Sequence, residues 1–181
     1  MSTTALDRPV FKTVTLDILL CAAAIAVPSL SHAAALPLYK FDPMRLLIFV
    51  AILFTSRRNA LLMALWLPLL SLLTSGHPVF PKVMLIQGEL ALNVLVFSVL
   101  FRRMRRFVLA AGISVLVSKA AYYAAKFVLI RAVLLEGDLI ATPWHFQLTT
   151  FVFILLAGGL ICQLRGKDEA DSRESGRVHH V

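Results

Sequence analysis

The sequence predicts an all-α integral membrane protein, a compact bundle of six transmembrane helices with both termini cytoplasmic. Three observations predict it. Of 181 residues, 59% are hydrophobic and the mean hydropathy is +0.83, well above what a soluble domain of this size carries. The apolar residues fall into six blocks, separated by proline, glycine or charged residues. Lysine and arginine gather at alternate ends of those blocks, as membrane insertion favours. The net charge of +8 invites a nucleic-acid reading. The charges sit at block ends and not along one face, so no nucleic-acid partner is expected.

Residues 1–14 read as a cytoplasmic leader carrying Arg8 and Lys12. The first block runs from Thr15 to about Ala35. Its basic start, apolar centre and Ser31-His32-Ala33 also match a cleavable signal peptide; retention as a helix gives the consistent topology below. Leu36 to Pro43 is a connector with two prolines. The second block, Met44 to Ser56, has only thirteen residues, short for a span of about 20. The third, Ala60 to Ser75, contains Pro68 and Trp66, and Gly76 to Pro81 is a loop. The fourth, Val83 to Phe101, is unusual for Gln87, Glu89 and Asn93 within it. Phe107 to about Leu135 is the fifth, longer than an untilted span needs. Trp144 to Leu164 is the sixth, closing a transmembrane domain over 15–164. The charged, aperiodic stretch 165–181 is expected to be a disordered cytoplasmic tail.

With six spans and a cytoplasmic N-terminus, twelve cations lie inside: Arg8, Lys12, Arg57, Arg58, Arg102, Arg103, Arg105, Arg106, Arg165, Lys167, Arg173 and Arg177. Four lie outside, namely Lys40, Arg45, Lys82 and Arg131, and Lys119 and Lys126 fall within a span. The bias predicts a multi-pass membrane protein with both termini inside, whose loop 102–106 is also expected to meet anionic lipid.

The chemistry concentrates in Lys119-Ala-Ala-Tyr-Tyr-Ala-Ala-Lys126. Lys119, Tyr122, Tyr123 and Lys126 are spaced i, i+3, i+4 and i+7, one face of a helix. Each ammonium costs about 2.5–3.5 kcal/mol near a membrane centre, so such a face is expected to meet protein, water or ligand. At ~1.5 Å per residue Lys119 lies about 18 Å and Lys126 about 28 Å along the fifth helix. That is its outer half. Gln87, Glu89 and Asn93 on the fourth helix, and Trp144, His145, Gln147, Thr149 and Thr150 on the sixth, fall in the same half. A substrate pocket open to the outside follows.

Each residue has a plainer reading. Lys126 snorkels, Glu89 pairs with Lys119, Trp144 and the tyrosines form an interfacial belt, and Asn93 and Gln87 hydrogen-bond between helices. His145 reads as an interfacial or hydrogen-bonded side chain, not a metal ligand. His179 and His180 lie in the tail and are assigned nothing. Cys21 and Cys162 have no CxxC partner, and no catalytic motif or nucleotide-binding loop is present. Neither an enzyme, a metal nor a cofactor is expected. On the first helix Ala22 and Ala26 form a small-xxx-small pair that lets another helix approach.

These features resemble the substrate-binding S components of energy-coupling factor (ECF-type ABC) vitamin transporters, over residues 15–165. The resemblance rests on six hydrophobic segments in about this length and on the Ala22-x-x-x-Ala26 pair. It also rests on the short helix, basic turn (Ser56-Arg57-Arg58-Asn59) and proline-containing helix of Leu46 to Pro68, and on Pro78-Val79-Phe80-Pro81 before the helix of Glu89 and Asn93. It implies a high-affinity binding subunit for uptake of a vitamin-like solute, docking by Ala22 and Ala26 on a transmembrane coupling subunit driven by two ABC-type ATPases. Its pocket would use Gln87, Glu89, Lys119, Tyr122, Tyr123, Lys126, Trp144, His145 and Gln147, with 36–43 as a lid. The lysines suit an anionic group and the aromatic rings a heterocycle. The alternative reading is a small basic membrane scaffold without ligand, like the cell-shape factor MreD. A stand-alone channel fits poorly with inner halves made almost wholly of Leu, Val, Phe and Ala.

Overall fold

The computed structural model of the chain describes residues 14–23, 26, 42–75, 80–135, 139 and 143–178, with side chains up to residue 164 apart from residue 75. The described chain is entirely helical: α1 Val14–Ala23, α2 Pro43–Phe54, α3 Arg57–Ser75, α4 Phe80–Met104, α5 Phe107–Arg131 and α6 Trp144–Val178. The leader through residue 13, the candidate cleavage site, residues 36–41 of the proposed lid, Lys40, His179 and His180 lie outside the described residues.

Local chemistry sets several helix ends. Asp42 precedes α2 in the left-handed conformation (φ 47°) and makes no side-chain cap, while Pro43 supplies the fixed φ suited to a first turn. Ser56 caps α3 conventionally, its Oγ accepting the Asn59 N–H at 3.2 Å. α5 closes in a Schellman arrangement. The Leu134 N–H donates to the Leu129 carbonyl and the Val133 N–H to the Ile130 carbonyl, both at 3.0 Å. Val133 takes the left-handed position there (φ 58°), where glycine is usual.

Three helices are long and apolar enough to cross a bilayer: α4, α5 and the Trp144–Leu164 part of α6. α1 and α2 are shorter apolar helices, and α2 spans about 18 Å at 1.5 Å per residue. The backbone of α6 continues to Val178, through the stretch whose composition suggests an aperiodic tail. Oppositely charged residues four apart there, such as Glu169 and Arg173, match helical spacing.

α4 is the axis of the bundle, packed along α5 on one side and α3 on the other, and α2 is wedged against α3, α4 and α6. One apolar cluster joins α1 to α4 through Leu20, Ile48, Ala60, Met63, Leu67, Leu90 and Val94. A second joins α2, α4, α5 and α6 through Phe49, Leu53, Phe97, Phe107, Ala110, Val115 and Ile154. Its centre is a knot of four rings. Phe49 and Phe97 stand edge to face at 5.2 Å, Phe97 stacks on Phe101 at 5.3 Å, and Phe107 meets Phe97 at 5.5 Å. Gly158 of α6 makes room for Phe107, because a Cβ there would stand 2.5 Å from the ring's Cζ.

The polarity is the reverse of a soluble protein. Exposed side chains along α4, α5 and α6 include Met84, Val99, Val108, Leu116, Val128, Val152 and Leu156, while Arg45, Glu89, Asn93, Ser114, Ser118 and Lys126 are buried. That distribution suits helices surrounded by hydrocarbon, with polar groups turned toward one another.

Candidate functional site

The buried face of α4 reads Glu89, Asn93, Phe97, Phe101 at four-residue spacing. It passes from charge through amide to aromatic ring in three turns. Opposite it, α5 runs antiparallel and presents Lys119, Ser118, Ser114 and Phe107 in the matching order.

At the charged level four side chains meet. Arg45, 1% exposed, donates from Nη2 to Glu89 Oε1. Its Nε lies 3.2 Å from Asp42 Oδ2, outside hydrogen-bond geometry, so that contact is ionic. Lys119 Nζ stands 3.5 Å from Glu89 Oε1 and 4.0 Å from Asp42 Oδ2. Two acids and two bases make the group neutral, which removes most of the cost of burying any one charge. Its two halves differ: Arg45 and Glu89 are sealed, whereas the Lys119 and Asp42 side chains keep 32% and 27% of their surface.

One turn below, Asn93 is fully buried and its Nδ2 lies 3.4 Å from both Ser114 Oγ and Ser118 Oγ. Both serines spend their own hydroxyl protons on backbone carbonyls, Ala111 and Val115 respectively. Asn93 Oδ1 has no hydrogen-bond partner among the described residues. One turn above Lys119, Tyr122 and Tyr123 stand edge to face at 5.4 Å, and the Tyr123 hydroxyl donates to Gln147 Oε1 at 2.8 Å.

The expected face is therefore divided. Glu89, Asn93, Lys119, Tyr122, Tyr123 and Gln147 gather along α4, α5 and α6. Lys126 is buried, and its Nζ donates to the Leu139 carbonyl at 2.9 Å in the segment after α5. Gln87 turns to α3 and donates to the Leu65 carbonyl at 2.7 Å. Leu65 lies three residues before Pro68, in the turn of α3 that leads into the proline. Trp144 is exposed, and His145 is exposed against the Phe146 ring at 4.7 Å; neither contacts the charged group. Ala22 and Ala26 are both exposed. No group of three metal-ligating side chains occurs among the described residues.

Sequence reasoning counted Arg45, at the start of the second apolar block, among the outer-side cations. It is instead the most deeply buried charge of the site, because Asp42 and Glu89 meet it inside the bundle. The available signal was Asp42 and Arg45 at i, i+3 at the start of an unusually short apolar block. Ser114 and Ser118, four apart and with Ser118 directly before Lys119, were also passed over. Comparison with protein-family models, curated proteins and solved structures returned no match to this chain.

Proposed function

We propose that this chain is a membrane-embedded binding subunit for uptake of a small anionic or heterocyclic solute. The observation that carries the reading is the half-open charge group, in which Lys119 keeps a third of its side-chain surface beside Tyr122 while Arg45 and Glu89 are sealed behind it. A carboxylate or phosphate of the solute replaces Asp42 as the second counter-ion of Lys119. The tyrosine pair offers ring faces to a heterocycle. Below that level the four-phenylalanine knot blocks a continuous polar path, which favours capture over free conduction.

In this reading all six helices lie in the bacterial inner membrane with both termini cytoplasmic. Burial of Arg45 strengthens the charge asymmetry that supports it, leaving Lys40, Lys82 and Arg131 as the outer cations. The alanine pair Ala22 and Ala26, exposed on the first helix, is the docking face for an ATP-driven coupling module, as the resemblance to S components implies.

The test is mass spectrometry of small molecules extracted from gently purified protein. A single anionic species is expected from the wild type and is absent from Lys119→Ala. Extracts that match a blank in both proteins would instead favour the ligand-free scaffold.

A further inference from the structure

The end of the bundle opposite the charge group carries a second electrostatic feature. α4 and α5 are joined by only two residues, Arg105 and Arg106, following Arg102 and Arg103, and all four arginines are exposed. The reversal needs Arg105 in the left-handed conformation (φ 55°), which disfavours a residue with a Cβ. Arg106 then occupies the N-cap of α5 with no side-chain cap bond and no acidic residue in the first turn. Cationic side chains there oppose the helix dipole. The α2–α3 turn adds exposed Arg57 and Arg58. Packing of Leu53, Phe97 and Phe107 into one cluster brings the two turns to the same end of the bundle.

Six guanidinium groups thus crowd one surface. Between Pro43 and Leu135 the chain has one acidic residue, Glu89, and it is committed to Arg45 and Lys119. Among the described residues no ion pair involves any of the six arginines. Exposed Phe54, Val99, Val108 and Leu109 lie two or three positions from them in sequence. The surface therefore combines cations with an apolar flank.

We infer that the Arg102–Arg106 turn, with Arg57 and Arg58, is a binding surface for anionic phospholipid. Headgroup phosphate meets the guanidinium forks, and the acyl chains lie along the apolar flank. The charge complementarity is specific in sign and independent of the solute site: neither Lys119 nor Arg45 takes part.

The experiment mixes full-length protein in detergent with equimolar phosphatidylglycerol and phosphatidylcholine and counts retained lipids by native mass spectrometry. Each arginine near an anionic surface contributes a factor of about five, so an overall preference for phosphatidylglycerol of about tenfold or more is expected. It should fall several-fold when salt rises from about 0.05 M to about 0.5 M, where the screening length shrinks to a few ångströms. Replacing all six arginines, Arg57, Arg58, Arg102, Arg103, Arg105 and Arg106, by Gln should bring the two lipids close to parity, while replacement by Lys should retain most of the preference. Equal retention of both lipids by the wild type overturns the inference, as does a preference unchanged by salt or by the Gln substitutions. Displacement of phosphatidylglycerol by an equal concentration of inorganic phosphate also overturns it, because it would mark a free-anion site. If the Gln variant does not fold, the salt dependence and the Lys variant decide the matter by the same criteria.

Discussion

Two levels of one bundle, built from the same helix faces, contrast sharply. At the level of Glu89 the contacts are ionic, directional and mutually dependent; at the level of Phe97 they are aromatic and apolar. Only two turns of α4 separate them. The aromatic level holds by shape, since each ring touches others at 5.2–5.8 Å or sits on a glycine. The ionic level holds by neutrality, so removing one member leaves another charge uncompensated in a low-dielectric surrounding. The lesson is that the charged level is a structural tie whose Lys119 and Asp42 side chains stay part exposed, whereas the aromatic level is closed.

Substitutions should break this contrast in graded fashion. Arg45→Met is expected to be the most damaging, costing about 3–5 kcal/mol, because it strands Glu89 with only the more distant Lys119. Thermal unfolding in detergent measures it, and Arg45→Met with Glu89→Leu should recover much of the loss. Gly158→Ala attacks the aromatic level. The added methyl meets Phe107, whose ring is hemmed by Phe49, Phe97 and Phe101, and overpacking of this kind costs about 1–3 kcal/mol. Pairing it with Phe107→Leu should restore stability if the clash is the cause.

Gln87→Leu removes the bond to the Leu65 carbonyl beside Pro68. Hydrogen bonds between membrane helices contribute on average about 0.6 kcal/mol, up to about 1.7, so a modest fall in melting temperature is expected, with solute retention unchanged. A loss of retention in this variant would return Gln87 to the binding face. Lys119→Met should cost least, under about 1 kcal/mol, because Lys119 is part exposed and Glu89 keeps Arg45. Its effect should fall on binding.

Part of this organisation was readable in the sequence. Glu89 and Asn93 on one apolar helix and Lys119 on the next stand out because hydrocarbon tolerates such residues only when they meet one another. The helical face of Lys119, Tyr122 and Tyr123 followed from spacing alone. The antiparallel order of α4 and α5 then set charge against charge. Arg45 was hidden because an arginine at the start of an apolar block looks interfacial. Only the placement of α2 against α4, a tertiary fact, turns it inward. Gln87 was misdirected for a related reason. It shares a helix with Glu89, but two residues rotate it about 200° around the axis at 3.6 residues per turn, toward the Leu65 carbonyl of α3. Lys126, a turn beyond the tyrosines, is claimed by the segment leading to α6, whose path no periodicity encodes. The three helices of sufficient length and apolarity were the three strongest blocks. The shorter α1 and α2 gave weaker signals because they are apolar but too short to read as full spans.

The central claim is that Arg45–Glu89 ties the bundle while Lys119 serves a ligand. Measuring melting temperature and extracted solute side by side for Arg45→Met and Lys119→Met tests it most directly. The account predicts that Arg45→Met melts far below wild type, whereas Lys119→Met melts within a few degrees of it, as a change under about 1 kcal/mol implies, and yields no solute. Equal destabilisation of both proteins, or full solute retention by folded Lys119→Met, would contradict it.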